Sequence, residues 1–364
     1  MLKKFCLLFT FALLAINTFA RDVKILISED KNDLVLTASA PFKVKDLQTN
    51  KTYKIKQGGT FGIQNNKGEI TCGSVKSKKG FLLTLNKDGA SFELNKNKYN
   101  GILEITPTKN GVNVIETLDL ENYLLGVLPY EMSYSWPVEA LKAQAVAART
   151  YTLKSIEDKK TGDFDLYSDI RSQMYKGSFT VYDNVKKAVE ETKGQVLTYK
   201  GNKFYTYYHA NCGGHTDPAP WLKDPIKPLS GNTCGYCKHA KTYTWKATLN
   251  KNTVQQFLKK NNIKGNFKKI KIGKRFSSGR AKTLVLITNK TRKEVSCNDF
   301  RIAVGSTLMK SCFLTDISGL KLEGRGYGHG AGMCQEGAKG MAQADKNYKD
   351  ILKRYYPGAD ITKI

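Results

Sequence analysis

Short alternating runs of hydrophobic and polar residues fill the chain from residue 21 to about residue 96. Clusters of Asn, Asp, Gly and Lys separate five apolar stretches, which cover residues 23–27, 34–37, 51–55, 80–85 and 91–94. Runs of this length, bounded by turn-forming residues, are typical of β-strands. We therefore predict a β-rich N-terminal domain over residues 21–96, and we find no catalytic constellation in it.

A helical pattern replaces the strand pattern between residues 118 and 156. Asp119 is placed to N-cap a short helix that Gly126 helps to end, and Pro137 then stands at the first turn of a longer helix. Small and apolar residues recur every three or four positions in that helix, at Leu141, Ala145, Ala148 and Thr152. This spacing predicts a buried face against which another element packs closely.

The rest of the chain mixes both patterns. Residues 101–115 form a predicted hairpin, strands return over residues 196–315, and amphipathic helices occupy residues 335–356. A stretch rich in Gly, Pro and Cys interrupts the strands at residues 211–237. The predicted class is α+β, with a β-rich N-terminal region followed by a mixed α+β domain over residues 97–364.

The first twenty residues have the anatomy of a secretory signal peptide. A basic start precedes an apolar run, which ends at Ala20 before the charged Arg21. Later in the chain no apolar run approaches the roughly 18 to 20 residues that a membrane span requires. We expect an exported protein of the periplasm or cell-wall compartment that does not span the membrane after signal cleavage.

The charge balance is strongly basic, with a formal net charge of +27. Residues 225–293 contain eighteen Lys or Arg and no Asp or Glu. Export argues against nucleic acid as the partner and favours an anionic polymer or surface. The alternative is a solvated lysine-rich surface without a partner, since only nine of the 59 basic residues are Arg.

The densest candidate for chemistry is the glycine-rich segment 324–338, which has His329 at its centre. Alternating glycines let a backbone approach a ligand closely, but they also suit a strained structural turn. The absence of a Gly-Lys-Ser/Thr sequence excludes a phosphate-binding loop.

A second candidate is Glu131, which follows Tyr130 and precedes Met132 and Trp136. An apolar, aromatic environment disfavours the ionised carboxylate, so the pKa rises and the group becomes a general acid near neutral pH. The alternative is a loop glutamate paired with one of the many lysines.

These two motifs and their neighbours resemble the stage II sporulation protein D (SpoIID/LytB) family. The resemblance runs in order from about residue 99 to residue 364, whereas residues 21–96 match weakly. The matching segments are residues 118–121, Glu131-Met132 with Trp136-Pro137, residues 139–151, residues 173–177, Tyr208-His209-Ala210 with Gly213-Gly214, residues 278–280, Phe300-Arg301 and residues 324–338.

The resemblance implies a lytic transglycosylase that cleaves peptidoglycan glycan strands, preferably strands stripped of stem peptides, and that requires no cofactor for catalysis. The catalytic glutamate of the family falls on Glu131. The substrate-binding residues implied by the resemblance are Gln173, Tyr175, His209, His329 and Gln335. Most glycosidases use two carboxylates, but here the C6 hydroxyl of N-acetylmuramic acid is the nucleophile, so one is enough. The competing hypothesis is a non-catalytic wall-binding protein that modulates a cell-wall amidase.

One departure from the family pattern concerns metal binding. Some members carry a His-Cys pair before the glutamine and bind metal there, whereas this chain has Arg171-Ser172. That metal site is not carried over to this chain.

Seven cysteines remain after Cys6 in the predicted signal peptide. Cys212, His215, Cys234 and Cys237 have a spacing suited to a structural tetrahedral zinc ion. Export favours a disulfide between Cys212 and Cys234 or Cys237 instead, and free thiols are the third alternative, so all three interpretations stay open. Cys297 and Cys312 form a further potential pair.

Overall fold

The computed structural model describes residues 21–159 and 162–364, so the predicted signal peptide lies outside the described residues. The architecture is mixed α+β, as the sequence predicts. In the described part of the chain, twelve strands precede the first helix: β1 (Asp22–Lys31), β2 (Leu34–Ala38), β3 (Phe42–Asp46), β4 (Thr52–Ile55), β5 (Gly59–Asn66), β6 (Glu69–Cys72), β7 (Val75–Ser77), β8 (Phe81–Leu85), β9 (Phe92–Leu94), β10 (Asn97–Tyr99), β11 (Ile102–Pro107) and β12 (Val112–Asp119).

The later elements alternate between helices and short strands. In chain order they are α1 (Leu120–Glu131), α2 (Val138–Asp158), β13 (Leu166–Tyr167), α3 (Asp183–Glu191), β14 (Gln195–Tyr199), β15 (Asn202–Lys203), β16 (Tyr208–His209), a 3₁₀ helix (Lys227–Leu229), β17 (Thr244–Thr248), α4 (Lys251–Lys260), β18 (Phe267–Ile272), β19 (Thr283–Thr288), β20 (Arg292–Ser296), α5 (Cys297–Val304), β21 (Leu314–Ser318), β22 (Lys321–Arg325), β23 (Met333–Cys334), α6 (Gln335–Gln343), α7 (Tyr348–Tyr355) and β24 (Asp360–Lys363). The predicted strands, hairpin and C-terminal helices all appear in this order.

Two sheets carry most of the N-terminal strands. One has the strand order β13-β1-β12-β11-β8-β3-β4, and the other has the order β10-β9-β2-β5-β6-β7. Strand β1 pairs antiparallel with β12, and β8 pairs antiparallel with β11. The predicted domain boundary between residues 96 and 97 therefore does not coincide with a break in the sheet, because strands from both sides of it hydrogen-bond to each other.

Helix α2 runs through the centre of the main hydrophobic core. All four residues of the predicted small-residue face are buried, and so is nearly every side chain between Ala140 and Leu153. Arg149, also fully buried, forms a bidentate ion pair with Glu121 of α1, at 2.8 Å and 2.6 Å. This pair fixes the first turn of α1 against α2.

Helix α1 does not end at Gly126, contrary to the prediction. Asp119 caps its start, with the carboxylate accepting hydrogen bonds from the N–H groups of Glu121 and Asn122. The helix then continues to Glu131. A Cβ at Gly126 would lie 2.5 Å from the Tyr175 ring and 2.6 Å from the Gly177 carbonyl oxygen, so this glycine allows close packing and does not stop the helix.

A second core, which the sequence analysis did not separate, lies within residues 245–322. It is built from the β17-β22-β21 and β18-β19-β20 sheets together with α4 and α5. Most of the basic segment 225–293 belongs to this part of the protein. Across the chain, no described helix combines the length and the apolar character that crossing a membrane requires.

Candidate active site

Glu131 is the last residue of α1 and is half-buried. One carboxylate oxygen accepts a 2.7 Å hydrogen bond from the backbone N–H of Met174. The packing of α1 on α2 and the segment around Met174 thus hold the carboxyl group in one place.

Burial raises the pKa of the Glu131 carboxyl to about 7. The Met174 N–H and the side chains of Gln335 and Tyr208 act in the opposite direction, because they stabilise the ionised form. With a pKa of about 7, the group holds a proton in a large fraction of molecules at neutral pH and is able both to donate and to accept one.

Gln173 is 1% exposed, and its amide is fully engaged inside the protein. Its carbonyl oxygen accepts hydrogen bonds from Tyr123 and Thr152, and its nitrogen donates to the Ala148 carbonyl and the Tyr208 hydroxyl. These contacts place Gln173 behind Tyr208, where it positions a residue that interacts with Glu131.

Tyr175 is also buried, and its hydroxyl donates a 2.7 Å hydrogen bond to Glu116. Glu116 is fully buried, and burial raises the pKa of its carboxyl to about 7 despite hydrogen bonds from Tyr175 and the Gly101 N–H. Tyr175 therefore lies in the wall behind Glu131 and Gly126.

A cleft of about 310 Å³ opens beside Tyr208, whose side chain interacts with Glu131. It is lined by Tyr151, Ile170, Arg171, Ser172, Tyr207, Tyr208, Trp221 and His329. Glu131 does not form part of the cleft wall. It interacts with Tyr208, which does. Flat aromatic surfaces of this kind suit the apolar faces of sugar rings.

Trp221 and His329 form one side of this cleft. Trp221 is 47% exposed, and its ring meets that of His329 edge to face, with 5.2 Å between ring centroids. Tyr207 lies 5.0 Å from Trp221 and 6.2 Å from His329 on the same measure. Trp221 was not predicted, and the sequence feature that could have indicated the aromatic wall is the tyrosine-rich run before His209.

Both predicted histidines lie at this site, but their surroundings differ. His329 Nδ1 accepts a 3.1 Å hydrogen bond from the Ala331 N–H, and burial with nearby Arg301 and Arg280 lowers its pKa to about 3. His209 is buried, its Nδ1 lies 3.0 Å from the Ala331 carbonyl, and burial lowers its pKa well below the usual range. Both rings are neutral near pH 7.

Arg280 holds the glycine-rich segment in position. Its guanidinium donates to Asp217 at 2.8 Å in a pair that is almost completely buried, and it also donates to the Cys212 carbonyl at 2.5 Å. A Cβ at Gly330 would lie 2.6 Å from the guanidinium carbon, so the segment next to His329 packs directly on Arg280. The second core, which contributes Arg280, is thereby connected to the site.

Gln335 begins α6 and is buried. Its side chain interacts with Glu131, so of the predicted binding residues it is the one placed directly at the Glu131 carboxyl.

The predicted metal-binding residues are only partly brought together. Cys212, Cys234 and Cys237 are buried side by side, but the fourth member of the cluster is Cys334 and not His215. The His215 Nδ1 is engaged instead with the Thr216 carbonyl oxygen at 2.5 Å. Sequence spacing gave no signal for Cys334, which lies almost a hundred residues further along the chain.

The described geometry defines an α+β protein in which a carboxyl with a raised pKa lies near an aromatic cleft. The sequence model of the SpoIID family (stage II sporulation protein) matches residues 108–199, which include Glu131, Gln173 and Tyr175. A domain of unknown function, DUF8618, matches residues 230–332, the region of the second core.

Three relatives support the same grouping. An uncharacterized protein of Brachyspira hyodysenteriae is 38% identical over 74% of this chain and 74% of its own length. The amidase enhancer of Bacillus subtilis is 30% identical over 90% of this chain, which spans 53% of that relative. Stage II sporulation protein D of Bacillus subtilis is 29% identical over 68% of this chain and 76% of its own length. The chain belongs to the SpoIID family.

Proposed function

We propose that the protein is a lytic transglycosylase that cleaves glycan strands of peptidoglycan, preferably strands without stem peptides, outside the cytoplasm. The observation that carries this proposal is the half-buried Glu131 carboxyl, with a pKa of about 7, next to an aromatic cleft. Family membership and the amidase enhancer relative support the coarser conclusion of a role at the cell wall.

The proposed reaction needs one group that exchanges a proton. Glu131 donates its proton to the glycosidic oxygen as the bond from that oxygen to C1 of N-acetylmuramic acid breaks. The resulting carboxylate then takes the proton of the C6 hydroxyl as O6 forms a bond to C1. The products are a free hydroxyl on one sugar and a 1,6-anhydro end on the other, and Glu131 regains its proton. No water is consumed.

The aromatic wall supplies binding for this substrate. Trp221, Tyr207 and Tyr151 present rings to the cleft, and the neutral His329 ring lines the same wall. Gln335 and Tyr208 orient the carboxylate of Glu131.

The test compares the protein with Glu131→Gln on amidase-stripped glycan strands, with mass spectrometry of the products. We expect 1,6-anhydro-muramyl ends from the wild type and a rate lower by about 10² to 10⁴ for the variant. The matched control, Glu69→Gln, changes a carboxylate in β6 of the N-terminal sheet and should cleave at the wild-type rate. If the wild type binds the strands but never cuts them, the enzyme proposal is wrong.

The second candidate function is non-catalytic modulation of a cell-wall amidase. The relative named amidase enhancer favours it. Addition of the protein to a purified amidase acting on intact peptidoglycan would then speed peptide release, and Glu131→Gln would do so equally well. Stimulation that requires the Glu131 carboxyl would contradict this alternative.

A further inference from the structure

We propose that Cys212, Cys234, Cys237 and Cys334 bind one structural zinc ion that fixes the segments next to Glu131. This metal site does not depend on the proposed reaction. It also differs from the sequence-based ligand set, because Cys334 takes the place of His215.

The geometry of the four sulfurs suits a tetrahedral ion. The four buried Sγ atoms all lie within 4.8 Å of one another, and those of Cys212 and Cys237 are 3.5 Å apart. Zinc bound by four thiolates at about 2.3 Å places its sulfurs roughly 3.8 Å apart. A disulfide would join only two of the four at about 2 Å and would leave the other two buried sulfurs outside the bond.

Hydrogen-bond donors surround the sulfurs as a thiolate cluster requires. Cys334 Sγ accepts hydrogen bonds from the N–H groups of Cys212 at 3.2 Å and Gly337 at 3.3 Å. The Tyr355 hydroxyl lies 3.1 Å from Cys234 Sγ. Cys334 also caps the N-terminus of α6, where the helix dipole favours negative charge. Groups that donate to a metal-bound thiolate orient it and stabilise its charge.

Two glycines make room for the Cys234–Cys237 turn against α6. A Cβ at Gly337 would overlap the Tyr355 hydroxyl and lie 2.8 Å from Cys234 Sγ, and a Cβ at Gly340 would overlap the Tyr236 carbonyl. These positions are three residues apart on the same side of the helix. The face of α6 is therefore open where the C-x₂-C turn approaches it.

The cluster joins chain segments that carry the site. Cys334 directly precedes Gln335, and strand β23, which includes Cys334, pairs parallel with β16, which includes Tyr208. Both Gln335 and Tyr208 interact with Glu131. A zinc ion at the four sulfurs would hold both side chains at the Glu131 carboxyl.

The experiment measures zinc in the full protein, purified without chelator, by elemental analysis and native mass spectrometry. We expect one zinc per chain, loss of most of that zinc in Cys334→Ser, and full retention in His215→Ala. Cys72→Ser, a buried cysteine of the N-terminal sheet, is the matched control and should also retain zinc.

Three results would overturn the proposal. The first is a chain without metal whose mass under non-reducing conditions is lower by two hydrogens for each disulfide formed. The second is zinc that survives in Cys334→Ser but is lost in His215→Ala. The third result applies if the Cys334→Ser variant fails to fold, in which case cobalt is loaded into the wild type instead. An absorption spectrum without the tetrahedral bands and without the charge-transfer intensity of four thiolates would then contradict the proposal. Zinc bound to a protein that never cleaves glycan would refute the proposed function and leave the metal site standing.

Discussion

At the Glu131 carboxyl, burial and hydrogen bonding shift the pKa in opposite directions. Burial raises the pKa, hydrogen bonds from Tyr208 and Gln335 lower it, and the net value is about 7. The proposed reaction begins with the protonated form, so its rate should fall as the pH rises through this pKa. The balance of the two effects gives the proposed acid a pKa close to neutral pH.

Tyr208→Phe tests this balance. It removes a hydroxyl that stabilises the ionised carboxylate, so the pKa of Glu131 should rise. We expect the alkaline limb of the pH–rate profile to move up by about one pH unit, the size expected for one hydrogen bond to a charged group. The measurement is kcat/KM against pH on stripped strands.

Tyr199→Phe is the control for Tyr208→Phe, because Tyr199 lies in β14 and outside the cleft lining. Its profile should match that of the wild type. An unchanged or lower alkaline limb in Tyr208→Phe would mean that Tyr208 does not stabilise the Glu131 carboxylate.

Single residues were predictable from sequence to different degrees. Glu131 stood out because its sequence neighbours are aromatic and apolar, but the groups that contact its carboxyl, Met174, Tyr208 and Gln335, lie far away in the chain. Cys334 did not stand out, because its partners are about a hundred residues away and only the pairing of β16 with β23 brings them together. Gln173 and Tyr175 were predicted as binding residues, yet the fold buries both behind the cleft.

In helix α1, tertiary packing outweighs the local sequence preference for a helix end. Gly126 was predicted to help end the helix, yet the helix continues to Glu131 with Pro129 inside it. Burial of Leu124, Val127 and Leu128 in the main core favours the longer helix over the local preference. That extension places the Glu131 carboxyl at the helix terminus.

Gly126→Ala tests the packing role of this glycine. Alanine is the better helix former by about 1 kcal/mol, so an unpacked helix would become more stable. Here the added Cβ would lie 2.5 Å from the Tyr175 ring and 2.6 Å from a carbonyl oxygen, so we expect the protein to lose about 2 kcal/mol of unfolding free energy. Urea denaturation measures the difference.

Gly62→Ala is the matched substitution, since a Cβ at Gly62 meets nothing within 4 Å. It should leave the unfolding free energy nearly unchanged. Equal effects of the two substitutions would show that Tyr175 does not pack closely on Gly126.

Over the whole molecule, buried titratable groups give opposing contributions to stability. Glu131 and Glu116 have a folded pKa of about 7, above the ordinary 4.5, so each favours folding at low pH and loses that contribution as the pH rises through 7. His209 and His329 have lowered pKa values, so each one lowers the stability of the folded protein as the pH falls below 6.5. The difference in unfolding free energy between the wild type and a variant that lacks one of these groups isolates the contribution of that group.

Glu131→Gln should therefore gain stability relative to the wild type as the pH rises. Between pH 4.5 and pH 8 we expect the difference in unfolding free energy to change by up to about 3 kcal/mol in favour of the variant. The amide avoids a buried charge and still accepts the Met174 hydrogen bond. Glu116→Gln should show the same trend, and a difference independent of pH would contradict the raised pKa of Glu131.

The sequence alone determined the class of the fold, most strand and helix positions, the family and the candidate acid, because these depend on local periodicity and on residues close together in the chain. Only the tertiary structure decided that the sheet crosses residue 96, that α1 continues past Gly126, and that Trp221, Arg280 and Cys334 join the site. Those outcomes depend on contacts between segments far apart in sequence, where packing and the burial of charge, not local pattern, determine which side chains meet.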